Sequence, residues 1–461
     1  MAAKFGTSGL RGLAEELSNE TVSAYVSAFV KHFVPEGTLV VGRDLRASSP
    51  RILRAVIECA RGTGISVLDC GVLPTPALAL ECAKRGAPGV MVTGSHIPAD
   101  RNGLKFYTMG GEFTKADEAV LLRAVRDGDQ AAVVEGGAVA ACDAAIAYVE
   151  RYASFFGRLA LSGMRVGVWE HSSAARDVLP DILNKIGASV IALGRTEDFI
   201  AVDTEAISGQ VRAQLEAWAK EHQLDAIVST DGDADRPLVT DETGNVVPGD
   251  ILGPIVAREL SAHHIVTTVS ANTMVEEMDV FERVSRCRIG SPYVVEKMND
   301  LMSSGARHVL GYEPNGGVLL GFKAAQGGRK IPPLMTRDAV LPIVAVLRAA
   351  SGGAVSDLLM GLPKRRTATD RLTDVAQEVS SSIVAEVLAG ASEILPVKLG
   401  SVLQVDLTDG ARLTMENGMI VTIRPSGNAP ELRCYVEAES GEAAASMLAE
   451  LLARLAEKTR S

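Results

Sequence analysis

The fold is decided by residues 38–93. TLVVG (38–42) and GVMVT (89–93) are short apolar runs that read as buried strands, with a third strand over 65–68. Between them Ile52, Leu53, Val56, Ile57 and Ala60 recur at helical spacing, so 49–63 reads as a helix, and 77–85 as another. Strand, helix, strand, helix, strand is βαβ rhythm, which implies a parallel or mixed sheet covered by helices. The rhythm restarts twice. Strands are expected over 164–169 (MRVGVW), 188–193 and 226–229, with helices over 175–186 and 211–221. A third round has strands over 264–269 and 308–311 and helices over 250–260 and 293–303. Three such units in series indicate an internal structural repeat.

The last part of the chain reads differently. KRRTAT (364–369) is polar and basic and reads as a solvated linker. Amphipathic helices are expected over 376–389 and 443–457. Strands over 402–407, 411–415, 418–425 and 431–437 are joined by Asp-Gly, Asn-Gly and Ser-Gly turns. The expected architecture is therefore α/β. Three related mixed-sheet α/β domains fall at 1–150, 151–249 and 250–365, and a smaller C-terminal α+β domain at 366–461.

Composition narrows the function. A chain of 461 residues exceeds what one hydrophobic core serves. With 57 acidic against 46 basic residues the net charge is −11, which disfavours nucleic acid and anionic membrane as partners. No apolar run approaches the ~18 residues that span a bilayer, and the start of the chain has no apolar signal segment. The six cysteines are scattered without a CxxC pair, which points to reduced thiols in a cytoplasmic protein.

Five stretches could carry chemistry. Asp231-Gly232-Asp233-Ala234-Asp235-Arg236 directly follows an expected strand, and three carboxylates at alternate positions can converge on one hard cation. A calcium loop is rejected, because Arg236 stands where such a loop needs Gly, Pro237 follows, and a strand rather than a helix precedes. A divalent ion with open positions for phosphate oxygen suits Mg2+ and phosphoryl chemistry. Thr93-Gly94-Ser95-His96 also follows a strand, and Ser95 is placed to act as a nucleophile or phosphate carrier, with Lys105 close behind. Taken alone, an ordinary turn or helix cap explains that serine better. Gly311-Tyr312-Glu313-Pro314-Asn315-Gly316-Gly317 suits paired hydrogen bonds to vicinal sugar hydroxyls, though a plain turn explains it equally well. Arg424-Pro425-Ser426-Gly427-Asn428, with Arg433 beyond, has the make-up of a phosphate cradle. The Gly-rich turns carrying Arg at 5–12 and 42–46 are weak signals individually.

Together and in order, FGTSGLRG, GRDLRASSP, TGSHIPADRNGLKFY, DGDADRP, GYEPNGG and RPSGNAPELRCYVEA resemble the α-D-phosphohexomutase family along the whole chain. The resemblance implies three related α/β domains and a smaller fourth around a central cleft. It implies interconversion of hexose 6-phosphate and hexose 1-phosphate, with mannose phosphate expected and glucose phosphate possible as a second substrate. Ser95 is implied as the serine that carries phosphate. Asp231, Asp233 and Asp235, with the phosphate on Ser95, are implied as the Mg2+ site. Arg11, His96 and Lys105 are implied beside the phosphoserine, and Lys105 and His96 are both candidates for taking the proton from the attacking hydroxyl. Arg236, Glu313, Asn315, Arg424, Ser426, Gly427, Asn428 and Arg433 are implied as substrate contacts. Hexose 1,6-bisphosphate is the implied intermediate, a phosphosugar the implied partner, and a monomer or homodimer the expected assembly.

The chain departs from the family pattern at four places. The sugar loop has Pro314-Asn315 where Glu-x-Ser-Gly is usual, Asn428 stands for Thr, Ala234 stands for Gly, and Glu170-His171-Ser172-Ser173 replaces a Gly- and Asn-rich turn. The change at Asn315 bears on sugar specificity. Phosphoglucosamine mutase is the alternative enzyme; a non-catalytic sugar-phosphate-binding relative that kept the fold is the alternative of a different class.

Overall fold

Thr38–Arg43 forms the heart of the first sheet, parallel to Ser66–Val72 on one side and Gly89–Val92 on the other. The computed structural model describes residues 3–6, 9–34, 37–134, 136–390, 394–426 and 430–459. Helix Ser49–Arg61 starts with a proline in its first turn and lays Ile52, Leu53, Val56 and Ala60 on this sheet. The full strand order is Lys4–Phe5, Leu10–Leu13, Arg101–Thr108, Gly89–Val92, Thr38–Arg43, Ser66–Val72, Val139–Ala141, with Gly111–Glu112 pairing Arg101–Thr108.

The second sheet runs Ser189–Leu193, Arg165–Trp169, Ala226–Thr230, Pro237–Val239, and the third Arg283–Cys287, His264–Thr268, Val309–Tyr312, Val318–Leu320, Leu334–Asp338. All three sheets share one device. A buried parallel strand ends in a short loop, and the next strand returns antiparallel beside it. Gly89–Val92 turns into Arg101–Thr108, Ala226–Thr230 into Pro237–Val239, and Val309–Tyr312 into Val318–Leu320. The three loops so formed contain Ser95, the aspartate cluster and Glu313. The repeat in the sequence is thus a repeat of the loop's place at the carboxyl end of a parallel strand, where α/β folds put ligands.

One apolar cluster runs through all three units, from Leu78 and Met91 through Phe155 and Ile182 to Ile251 and Leu341. Helix Ala144–Phe156 is its hub: it packs on helix Thr75–Arg85, helix Val178–Lys185 and strand Arg329–Ile331, one from each unit. The helix also runs through the boundary drawn at residue 150. Its Tyr148 hydroxyl donates to Asp338 Oδ1 at 2.7 Å, and Tyr152 donates to the other oxygen of Asp338.

The fourth unit has its own core, including Ile383, Leu413, Val436 and Leu451. Its sheet is fully antiparallel and has five strands in the order Arg366–Thr373, Glu431–Ala438, Ile420–Pro425, Ala411–Met415, Val402–Asp406. Four were expected. The segment read as a linker is instead the fifth: Arg366–Thr373 pairs along its whole length with Glu431–Ala438. It looked like a linker because this edge strand is half-buried or exposed throughout and only Ala368 and Leu372 of it are apolar. Among the described residues no helix is long and apolar enough to cross a membrane, and all six cysteines are free.

The fourth unit is tied to the third through Glu437. Its carboxylate accepts from Arg365 Nε at 2.6 Å and from the backbone N of Thr273 at 2.9 Å. Nearby, Asp250 is buried in the first turn of helix Gly249–Glu259, where Asn272 Nδ2 donates to it at 2.9 Å. Burial pushes its pKa up to about 6, and the neighbouring charge of Glu437 works the same way. The folded state therefore holds this proton more tightly than the unfolded chain. The stabilising contribution is full below about pH 4 and is lost as pH rises to about 6. Asp250→Asn is expected to remove this loss and to be more stable than the parent at pH 8 by up to about 3 kcal/mol, with little gain at pH 4. Calorimetric unfolding midpoints across pH 4–8 check it; a difference that does not grow with pH contradicts the assignment.

Candidate active site

Ser95 sits in the loop after Gly89–Val92, nearly inaccessible to solvent, with its backbone in the left-handed region at φ 53°. A residue with a side chain costs about 1 kcal/mol or more there and needs outside support. Arg46 supplies it from beneath. Its guanidinium donates to the carbonyls of Ser95 (2.8 Å), Ile97 (2.6 Å), Pro98 (2.5 Å) and Arg101 (2.9 Å). Its Nε lies 3.2 Å from Asp44, and Asp44 in turn accepts from Thr93 Oγ1 (2.7 Å) and Ser49 Oγ (2.5 Å). The ring of Phe199, from the second unit, covers the guanidinium face at 4.1 Å.

The Ser95 hydroxyl donates to Asp231 Oδ2 at 2.5 Å and lies 3.3 Å from His96 Nδ1. This contact joins the first unit to the second. Gly232 permits it, since a Cβ there would stand 2.8 Å from the Ser95 carbonyl and 2.8 Å from the Phe199 ring. The metal loop is also held by Thr75, at the start of helix Thr75–Arg85, whose hydroxyl donates to Asp233 Oδ2 at 2.5 Å.

Asp231, Asp233 and Asp235 are buried, and one ligand oxygen from each lies within 4.8 Å of the other two. Lys105 Nζ donates to Asp233 Oδ2 at 2.6 Å and Asp235 Oδ2 at 2.5 Å, and Arg337 reaches the latter oxygen at 2.7 Å. The Oδ1 atoms of Asp233 and Asp235 are buried and accept no hydrogen bond among the described residues. Buried carboxylate oxygens without a hydrogen-bond donor are what a hard divalent cation requires, so the donor set fits a metal ion.

The surrounding charges divide the titratable groups. Burial and the like charges of Asp233 and Asp235 push the Asp231 pKa well up. Burial also acts to raise Asp235, but Arg337, Lys105 and Arg236 overcome it and hold the carboxyl below its usual range. Burial opposes the charge on Lys105, yet Asp233 and Asp235 raise its pKa on balance. Burial, then Arg236 and Arg11, drives the His96 pKa far down, leaving the ring neutral. Arg11, beside Gly103 in the sheet, is lowered to about 10 by burial and by the charges of Arg236 and Arg337. The expected residues Ser95, His96, Lys105, Arg11, Arg236 and the three aspartates are thus in one place. Arg236 Nη1 is 3.3 Å from Glu205 and its Nε 3.8 Å from Asp235.

Glu313 and Asn315 are buried in the corresponding loop of the third unit. Glu313 Oε2 accepts from Arg337 at 3.0 Å. Asn315 Oδ1 accepts from the backbone N of Gly317 at 3.0 Å, so its side-chain oxygen shapes the loop and its amide nitrogen is left to donate. Arg424, Ser426 and Arg433 lie elsewhere, lining a cavity of about 420 Å³ with Lys115, Arg288 and Tyr293. Arg424 Nε is 3.1 Å from Asp409, and Arg433 is 3.1 Å from Glu431. Gly427 and Asn428 lie outside the described residues.

Thr75, Phe199, Arg288 and Arg337 carry no expected role in the sequence, and Asp44 and Arg46 stand in a flagged stretch, 42–46, without an assigned role. For Arg46 and Asp44 there was a signal, two opposed charges between an apolar strand and a helix start in GRDLR. The others reach the site from distant segments and have no local pattern to mark them.

Known proteins resemble this chain throughout. Residues 2–132, 146–244, 248–366 and 371–454 match, in order, phosphoglucomutase/phosphomannomutase alpha/beta/alpha domains I, II and III and the C-terminal domain. A phosphomannomutase from Sinorhizobium fredii is 45% identical, with 99% of each chain aligned. One from Salmonella muenchen is 39% identical over 98% of this chain and 96% of its own. Among solved structures, a phosphoglucomutase/phosphomannomutase family protein from Burkholderia thailandensis superposes with a TM-score of 0.76 at 20% identity, covering 100% of this chain and 98% of its own. Four domains matched in sequence order over nearly every residue make this chain a member of the phosphoglucomutase/phosphomannomutase family.

Proposed function

We propose that the protein interconverts hexose 6-phosphate and hexose 1-phosphate through a phosphoserine at Ser95 and a hexose 1,6-bisphosphate, with mannose phosphate as main substrate and glucose phosphate as a second. The observation that carries this reading is the Ser95 hydroxyl, 2.5 Å from Asp231 in a cluster with two buried carboxylate oxygens that accept no hydrogen bond. A nucleophile that shares a carboxylate with a metal-competent cluster suits phosphoryl transfer better than hydrolysis or simple binding. The two phosphomannomutase relatives support the mannose assignment.

In the first step the bond from phosphorus to Ser95 Oγ breaks and one to the free sugar hydroxyl oxygen forms; that hydroxyl gives up its proton, and the leaving Ser95 Oγ takes one up to become the free serine. The bisphosphate then turns end for end, and its other phosphate returns to Ser95. Two groups can take the departing proton, and they start from opposite states. His96 already has a free lone pair, whereas Lys105 must first release a proton held by Asp233 and Asp235. Mg2+ held by Asp231, Asp233, Asp235 and an oxygen of the Ser95 phosphate would neutralise charge on the moving group. Arg11 and Arg236 add positive charge on the same side. Glu313 and Asn315 hold sugar hydroxyls. Arg424, Ser426, Gly427, Asn428 and Arg433 grip the phosphate that is not reacting, which supplies positioning energy. The fourth unit, with its own core, closes over the substrate and excludes water. Six free thiols suit action in the cytoplasm, as a monomer or homodimer without nucleic-acid or membrane partners.

Three outcomes are expected. Ser95→Ala loses mutase activity and shows no phosphorylated species by intact-mass spectrometry; full activity in that variant contradicts the phosphoserine. Asp233→Asn keeps the parent's circular dichroism but loses Mg2+-dependent turnover by at least about a hundredfold. Mannose 1-phosphate and glucose 1-phosphate are turned over faster than glucosamine phosphate in a coupled assay, and a clear preference for the amino sugar would assign the chain to the phosphoglucosamine branch.

A further inference from the structure

Arg337 is buried and hydrogen-bonds both the aspartate loop and the Glu313 loop. It lies on the strand Leu334–Asp338, with one amino group 3.0 Å from Glu313 Oε2 and the other 2.7 Å from Asp235 Oδ2. The first unit fixes the strand beneath it. Glu112 Oε1 accepts from the backbone N of Arg337 at 3.2 Å and from Thr336 Oγ1 at 2.6 Å. Three units thus fix Arg337: Asp235 of the second and Glu313 of the third hold its guanidinium, and Glu112 of the first holds its backbone. Its path is cleared by Gly317: a Cβ there would come within 3.0 Å of Arg337 Cγ and 3.1 Å of its Cβ. The glycine that ends the Glu313 loop and the arginine on the neighbouring strand share one space, which only one side chain can fill.

A carboxylate held by nothing can swing about its last torsion and offer either oxygen to a ligand. Glu313 cannot, because turning it would break a buried charge-assisted bond. Its Oε2 is committed and its Oε1 is left as the acceptor for a sugar hydroxyl.

We propose that Arg337 is a specificity-determining positioning residue, which clamps Glu313 so that a single carboxylate oxygen, in one fixed direction, reads the hydroxyls of the hexose phosphate. This rests on the hexose phosphate reading above and adds to it the residue that aims the sugar contact. Lysine is a poor replacement, since a point charge cannot serve Glu313 and Asp235 as a planar fork does. The clamp acts through Glu313, so its effect belongs in substrate binding, and removing Glu313 leaves it nothing to aim.

The test is a double-variant cycle with Arg337→Gln, Glu313→Gln and both together, using mannose 1-phosphate. Arg337→Gln is expected to raise KM on the order of tenfold to a hundredfold, with a smaller fall in kcat. The double variant is expected within about threefold of Glu313→Gln alone rather than at the product of the two effects. Arg337→Lys, the milder change if Arg337→Gln does not fold by circular dichroism, is expected to raise KM in the same direction. An unchanged KM in the folded arginine variant, or additive effects in the pair, overturns the clamp while leaving the mutase reading standing. If the parent does not turn over mannose 1-phosphate, the mutase reading falls, and calorimetric binding of the same ligand takes the place of KM throughout. Absence of binding to the parent overturns both.

Discussion

Everything at this site depends on how one knot of opposed charges is balanced. Asp231, Asp233 and Asp235 crowd three carboxylates into a buried loop, and like charges at that spacing repel strongly where water is excluded. One compensating cation, Arg236, is in the same loop at 3.8 Å, and the closer two come from other units. Lys105 comes from the first and Arg337 from the third. Pulling any unit away would leave an unpaired buried charge, which is among the costlier defects a protein can carry. The charge balance that leaves the aspartate cluster able to hold a metal ion also ties three units together around it.

The reacting parts arrive by one repeated construction. In each of the first three units a parallel strand stops, turns through a short loop and returns antiparallel, and each loop took on a separate duty. Two of them, at Ser95 and Ala234, hold a residue with a side chain at positive φ. Neither would adopt that conformation unaided. At Ser95 the support is visible: Arg46 fastens four carbonyls of the loop, and Phe199 of the neighbouring unit seals the guanidinium against water.

The cavity lined by Arg424 and Arg433 is built on different terms. Its arginines are half-buried, each beside a carboxylate of its own unit, and the fourth unit's core is separate from the shared one. Such pairs hold a guanidinium in place without sealing it from an arriving phosphate. An overall charge of −11 therefore coexists with a cationic cavity lined by Lys115, Arg288, Arg424 and Arg433.

The sequence by itself determined whatever depends on neighbours in the chain. Apolar periodicity marked the strands and helices of the three α/β units, and the motif loops stood out because each follows a strand and concentrates Gly, Asp, Ser or Arg in a few residues. Where side-chain pattern and burial part company the reading failed, as at Arg366–Thr373, whose polar residues belong to a paired edge strand. Tertiary structure alone decided which side chains meet. Arg46 under Ser95, Thr75 on Asp233 and Arg337 between Asp235 and Glu313 are contacts across 49, 158, 102 and 24 residues of chain. A buried charge is stable only beside its opposite, and which opposite is near is set by how whole sheets pack, a quantity that no local run of residues encodes.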